Sequence, residues 1–170
     1  MAWSTISSPV SGSAISISAF GQKIIDNAQY LYDQLITGVA FTSYAPTWGS
    51  AVTVGNGTAT GSYLTLGKLV VFRAKFVLGS TSSIGSNPAT VTLPVTAASS
   101  TPYVLATARF YDTSATKWYL AGVSSTTTVA SLYQVNTSGL NNRYDSISST
   151  APFTWATGDE LDIFAAYEAA

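Results

Sequence analysis

After Gly38 the sequence is organised in short runs in which apolar and polar residues alternate, and each run ends at turn residues. In 69–78, alternate positions are apolar and would share one face of a strand: Val70, Phe72, Ala74, Phe76 and Leu78. Successive side chains of a β-strand point to opposite faces, so this pattern predicts a strand with one buried face. A series of such runs at short intervals is typical of an antiparallel sandwich or barrel.

Eight strands are predicted in this part of the chain. They lie at 51–54, 62–66, 68–78, 90–95, 103–111, 117–124, 128–135 and 160–168. Gly67 stands where a tight hairpin would join two of them. Eight is the number of strands that a two-sheet jelly roll needs. The predicted fold is therefore mainly β, an antiparallel jelly-roll-like β-sandwich of about eight strands.

One α-helix and an irregular arm are expected before the strands. Residues 1–17 are rich in Ser and read as the arm, and helical periodicity begins after Ser18, a plausible N-cap. An apolar stripe at helical spacing then continues to about residue 37, and Gly38 follows as a C-cap. We assign 1–44 to an N-terminal arm and helix and 45–170 to the sandwich.

The residue types that the chain lacks restrict its chemistry. It has no His and no Cys, which excludes imidazole or thiolate catalysis, zinc sites and disulfides. Only 9% of residues are charged, where about 25% is usual, and seven Lys and Arg cannot form a stripe that follows nucleic acid. We expect neither a nucleic-acid nor a membrane partner, since no secretory signal or membrane span is evident.

Several strands are apolar or small on both faces, which predicts that both faces are covered. In 160–168, Phe164 and Ala166 lie opposite the face formed by Leu161, Ile163, Ala165 and Tyr167. A single sandwich covers one face of each sheet, so the second face would be buried against copies of the chain. The helical stripe would pack on its own domain, on such copies or on a larger protein. The interface candidates are Ile24, Ala28, Leu31, Leu35 and Phe164.

Three motifs could in principle carry catalysis or ligand binding. Ser114–Lys117 matches S-x-x-K but lies between two predicted strands, where a hairpin loop is expected. The glycine run 55–61 has the wrong spacing for a dinucleotide and is assigned to turns. Asp159, Glu160 and Asp162 could bind Ca²⁺ or cleave glycosides, yet Gly158 and Asp159 resemble a turn. We therefore predict no enzymatic activity, no cofactor and no metal.

Aromatic residues at loop or strand-end positions could instead stack on sugar rings. The candidates for glycan stacking are Trp118, Tyr119 and Tyr144. The alternative for each is a place in the core or in an interface.

Several strings, taken in order, resemble β-rich domains of virion proteins from tailed bacteriophages. They are Asn56–Tyr63, Gly67–Phe72, Thr92–Val95 and Phe153–Asp159, followed by Tyr167–Ala169, with Ile24–Leu31 similar to the short helix that precedes such domains. The proteins in question are minor tail, tail-fibre or head-decoration components, particularly of phages that infect Gram-positive hosts. The resemblance spans about residues 20–169. It implies a homotrimeric jelly-roll domain on an N-terminal anchor, with no catalytic residues to transfer and no distinction between head and tail.

The arm would attach the protein to the particle. It carries spaced apolar anchors that could order on a partner, namely Trp3, Ile6, Val10, Ile15 and Ile17. We expect a protein made in the host cytoplasm that docks on other virion proteins of the capsid or tail, while the sandwich projects outward. A role in binding host-surface carbohydrate is the alternative, and a glycan-hydrolysing enzyme is the rival from another class.

Overall fold

The computed structural model describes residues 17–33, 40–99, 105–137 and 143–170. The chain divides into two units, Met1–Ala40 and Phe41–Ala170. The first contains α1 (Ile17–Tyr32). The strands of the second are β1 (Thr42–Tyr44), β2 (Trp48–Thr53), β3 (Thr58–Leu66), β4 (Leu69–Val77), β5 (Ser83–Thr92), β6 (Leu105–Asp112), β7 (Lys117–Ser125), β8 (Val129–Asn136), β9 (Arg143–Asp145) and β10 (Glu160–Glu168).

The strands form one antiparallel sheet that curls over its own core. Their order is β1-β3-β4-β10-β6-β7-β8-β5-β2, and β9 pairs with β8. β1 and β2 lie at opposite ends of this order although three residues of chain join them. Trp48 in β2 packs on Phe76 in β4, with 5.9 Å between ring centroids. The two ends of the sheet therefore face each other across the core, as in a β-sandwich.

The core is built from the inward-facing residues of these strands. On β4 and β10 every second side chain is almost completely buried: Val70, Phe72, Ala74, Phe76, Leu161, Ile163, Ala165 and Tyr167. The neighbouring strands add Phe110, Leu132 and Val91. Removing this apolar surface from water is the main force that stabilises the fold.

The predicted mainly β fold with one N-terminal helix is confirmed, and each of the eight predicted strands corresponds to an observed one. β1 and β9 are additional strands of three residues each, too short to show alternation. β5 begins at Ser83, well before the predicted residue 90. The sequence pattern did not indicate its first half because that half contains Gly85, Asn87 and Pro88. Such residues are depleted in strands.

The boundaries at the N-terminal side also differ from expectation. α1 begins at Ile17, a residue that the sequence assigned to the arm. The unit boundary falls after Ala40 and not after residue 44, because β1 pairs with β3 and so belongs to the sheet. The predicted C-cap at Gly38 lies outside the described residues.

The hairpin between β3 and β4 is as tight as the sequence indicated. Leu66 pairs with Leu69, and Gly67 lies between them with φ at 59°. That left-handed conformation costs a glycine little, because it has no Cβ. The register set at this turn then decides which residues of both strands face outward.

Candidate functional site

The outer face of the sheet brings together charged residues that are far apart in sequence. Asp162 at the centre of β10 pairs with Lys75 of β4 on one side and with Arg109 of β6 on the other. Two residues further along β10, Phe164 pairs in the same way with Arg73 of β4 and Thr107 of β6. Since side chains two residues apart share a face, these residues form two adjacent rows across three strands.

These rows line a groove with a volume of about 690 Å³. We call it the cationic groove. Its lining includes Ser43, Thr60, Ser62, Arg73, Lys75, Thr107, Arg109, Asp162 and Phe164. Its walls thus combine hydroxyl groups, three cations, one carboxylate and one aromatic ring.

Two of the cations in the groove are paired with carboxylates. Lys75 Nζ lies 2.7 Å from Glu160 Oε1, and Arg109 Nε lies 3.2 Å from Asp162 Oδ2. The Arg109 guanidinium also lies 3.9 Å from the centroid of the Trp118 ring. Arg109 is therefore fixed from two directions.

Arg73 is the cation without an acidic partner. Its Nε donates a hydrogen bond to Ser62 Oγ at 2.7 Å, and its guanidinium lies 5.1 Å from the centroid of Phe41. Across the described ranges, no carboxylate lies within ion-pair distance of it. The positive charge of Arg73 is thus oriented by its neighbours but not neutralised.

Burial dominates the electrostatics of Asp162. It raises the pKa of this carboxyl above its usual value, while the hydrogen bond from Arg109 and the charge of Lys75 act in the opposite direction. Asp162 Oδ1 is closed off from solvent and accepts no hydrogen bond within the described part of the chain. Among the described residues, Oδ2 of Asp162 therefore pairs with Arg109, and Oδ1 is not accessible from the groove.

The other half of the outer face is apolar. Beyond Phe164 along β10 comes Ala166, which pairs with Leu105 of β6 and Val71 of β4. Leu105 is 82% exposed, and Leu66 and Leu69 at the neighbouring hairpin are about half exposed. We call Leu66, Leu69, Val71, Leu105 and Ala166 the apolar patch. It adjoins the cationic groove, and Phe164, 46% exposed, lies at their boundary.

The helical interface candidates are also exposed where they are described. Ile24, Ala28 and Leu31 face solvent on α1, and Leu35 lies outside the described residues. On the opposite side of the helix, Gln22 donates to Asp26 and Gln29 to Asp33, both at 2.8 Å. At 100° per residue these polar pairs lie about 180° from the stripe, so α1 is amphipathic.

The residues predicted to dock on the virion fall almost entirely outside the described ranges. Trp3, Ile6, Val10 and Ile15 belong to residues 1–16, and Ile17 is the first residue of α1. Their docking role stays a prediction.

The three glycan-stacking candidates do not form one surface. Tyr119 packs on Phe153 at the core, with 4.9 Å between ring centroids. Trp118 is half exposed, but Tyr111 stacks 4.2 Å from its centroid and Arg109 lies at 3.9 Å. The indole of Trp118 is therefore already in contact with two side chains of β6.

Tyr144 is the candidate that remains open to solvent, at 64% exposure. Its ring lies over Gly122, where any Cβ would collide with it, and stacks near Tyr133 at 6.5 Å between centroids. Glycan stacking stays a prediction for this residue.

The acidic cluster of the sequence does not converge in space. The carboxylate of Asp159 is buried and accepts hydrogen bonds from the backbone amides of Thr113 and Ala156, at 2.9 and 2.7 Å. Glu160 and Asp162 instead face outward in separate ion pairs. Within the described ranges, no three acidic side chains are placed to hold a metal ion.

The other two motifs are turns. Ser114 lies in the β6–β7 hairpin loop, where its hydroxyl donates to Asp112 at 2.7 Å. Gly55 and Gly57 lie where the chain between β2 and β3 closely approaches Thr81 and Phe76, leaving no room for a Cβ. Both interpretations from sequence agree with these positions.

Comparisons with known proteins give no match to any family model, curated protein or solved structure. Among the described residues, no helix has both the length and the apolar character needed to cross a membrane.

Sequence reasoning missed the cationic groove. Its four charged residues come from three strands and span positions 73 to 162, so no local motif connects them. A signal was present: three of the seven cations of the chain occupy outward positions of predicted strands.

Proposed function

We propose that this protein is a non-enzymatic structural subunit of a bacteriophage virion that assembles as a homotrimer. The observation that carries the self-assembly is the apolar patch, above all the 82% exposure of Leu105 on a central strand. Contiguous exposed apolar surface is uncommon on monomers and marks interaction sites. A second copy of the chain is the simplest partner, because closed symmetric oligomers bury the same surface on every subunit.

The apolar stripe of α1 supports the same proposal. Ile24 and Leu31 are about half exposed, although apolar helical stripes normally pack on a partner. A helix of 16 residues is marginal by itself, so contacts between copies would stabilise it.

The assignment to a virion rests on the resemblance of sequence strings to phage tail and head components. The N-terminal arm would attach the trimer to the capsid or tail and the sheet unit would project outward. Incorporation into particles of a chain that lacks residues 1–16 tests this step, because the deletion leaves α1 complete. Normal incorporation of the truncated chain would refute anchoring by the arm.

The mass of the purified protein tests the assembly itself. Light scattering at micromolar concentration should give three times the 17.7 kDa of one chain. A mass of 17.7 kDa would contradict the proposal.

Binding of host-surface carbohydrate is the second candidate function, supported by the exposed ring of Tyr144. A glycan array should then show binding of neutral glycans that Tyr144→Ala removes and Tyr133→Phe retains. A wild-type chain that binds no glycan would exclude this candidate. The same array, assayed for released sugar, tests the rival of a glycan hydrolase.

A further inference from the structure

The cationic groove concentrates positive charge in a chain that is otherwise weakly charged. Three of the seven Lys and Arg residues line it, against two carboxylates, Asp162 in its lining and Glu160 beside Lys75. The local balance is thus one positive charge, while the whole chain carries a net charge of -1. An anion would be attracted to this part of the surface.

The uncompensated charge belongs to Arg73. Its Nε is used by Ser62, and in the described part of the chain its terminal nitrogens have no acceptor. A guanidinium presents these nitrogens as a planar fork that matches a carboxylate or phosphate. The hydrogen bond to Ser62 and the contact with Phe41 orient the fork in advance.

The groove offers many donors and few acceptors. Asp162 Oδ2 is engaged by Arg109, and Asp162 Oδ1 is closed off from solvent. The terminal nitrogens of Arg109, like those of Arg73, have no acceptor among the described residues. A ligand rich in acceptor oxygens is therefore favoured over a cationic one.

The remaining lining fits a hydroxylated ring. Ser43, Thr60 and Thr107 contribute hydroxyl groups that can donate or accept, and Phe164 adds a half-exposed aromatic ring beside them. A volume of about 690 Å³ lies within the range of small-molecule sites.

From these contacts we propose that the cationic groove binds a saccharide that carries an oxyanion, either a carboxylate or a phosphate. Arg73 would pair with the oxyanion, and Phe164 with the flanking hydroxyls would hold the ring. The proposed site uses none of the five residues of the apolar patch that it adjoins.

Calorimetric titration of the full chain at low salt tests the site. The probes are a galacturonic acid trisaccharide, its neutral methyl ester and glucose 1-phosphate. We expect the acid to bind about tenfold or more tightly than the ester, the equivalent of one charge-assisted hydrogen bond. Glucose 1-phosphate distinguishes the two oxyanions, since tighter binding than that of the acid would identify phosphate as the oxyanion.

Arg73→Gln and Lys68→Gln each remove one positive charge, so comparing them locates the binding site. Arg73→Gln should weaken binding of the acid about tenfold, and Arg73→Lys should restore part of it. Lys68→Gln, in the β3–β4 hairpin away from the groove, should leave binding within about twofold. All variants should keep the solution mass of the wild type. The proposal is overturned if the wild type binds no probe, if acid and ester bind equally, or if Arg73→Gln binds like the wild type.

Discussion

The two faces of β10 differ in burial and in chemistry. Inward, Leu161, Ile163, Ala165 and Tyr167 are at most 2% exposed. Outward, the same strand carries two ion-paired carboxylates, a half-exposed phenylalanine and a terminal glutamate. The inner face determines how the chain folds, whereas the outer face is available for contacts with other molecules. Changes on the two faces should therefore have separable effects.

The largest difference in unfolding free energy should appear between two variants that each lose a phenyl ring, one on the inner face and one on the outer face. Phe72 is completely buried on β4, so Phe72→Ala leaves a cavity and should lower the free energy of unfolding by about 3–5 kcal/mol. Phe164→Ala is the matched change on the outer face and should cost less than about 1 kcal/mol. Urea unfolding of both variants measures this. Equal losses would mean that the outer face of β10 is part of the core.

Next in size is the loss of a buried carboxylate. Asp159→Ala removes the acceptor of the Thr113 and Ala156 amides and should cost about 1–3 kcal/mol. Glu168→Gln, at the exposed end of β10, should stay within about 0.5 kcal/mol. Thermal unfolding compares them. If Asp159→Ala matched Glu168→Gln, the two amides would have other acceptors.

The charge of Asp112 should make a smaller contribution to stability, and this contribution should depend on pH. Hydrogen bonds from the Ser114 hydroxyl and the Ala115 amide hold the pKa of Asp112 below its usual value of 3.8. A lowered folded-state pKa stabilises the protein above the unfolded pKa, and this contribution disappears as pH falls through the folded pKa. Asp112→Asn should therefore be less stable than wild type at neutral pH, and the difference should shrink below about pH 4.

Urea unfolding of the Asp112→Asn variant and the wild type at several pH values measures that difference. Asp162 acts with the opposite sign in both chains: burial raises its pKa, so its contribution favours folding at low pH and is lost as pH rises through the folded pKa. Comparing the two chains at each pH removes this shared term. A difference that stayed constant down to pH 3 would show that the hydrogen bonds to Asp112 do not depend on its charge.

The smallest effect on folding, yet a complete effect on assembly, is expected in the apolar patch. Leu105→Asp should change the free energy of unfolding of the isolated sheet unit by no more than about 0.5 kcal/mol, because Leu105 is exposed. The same change places a charge in the proposed interface and should reduce the solution mass to that of one chain. Thr53→Asp, at the end of edge strand β2, is the control and should keep the oligomer. If the Leu105→Asp variant kept the oligomer, the interface would have to lie outside the apolar patch.

The inner face was predictable because its signal is local. The alternation of apolar and polar residues over 69–78 lies within ten consecutive residues. It correctly assigned every second residue from Val70 to Leu78 to the core. β1 and β9 were not predictable, since three residues carry no period. They form because longer neighbours supply the pairing partners.

The outer face could be predicted only in composition, not in arrangement. Sequence indicated that Phe164 lies opposite the core, but the neighbours of this residue depend on the register of three strands. Arg73 and Arg109 come together with Asp162 only once that register is fixed. Trp118 shows the same limit. Its position at a strand end indicated exposure, but its contacts with Tyr111 and Arg109 depend on the pairing of β6 with β7.

The most direct test of assembly through the apolar patch uses the absence of cysteine from the chain. A spin label on Glu168→Cys would report from the end of β10 beside the patch, and one on Ala115→Cys from the hairpin at the opposite end of β6. Double electron–electron resonance on each singly labelled protein measures distances between copies. We predict a defined distance between labels at 168 that is shorter than the distance between labels at 115. The absence of any distance between copies, or a shorter distance at 115, would contradict assembly through this face.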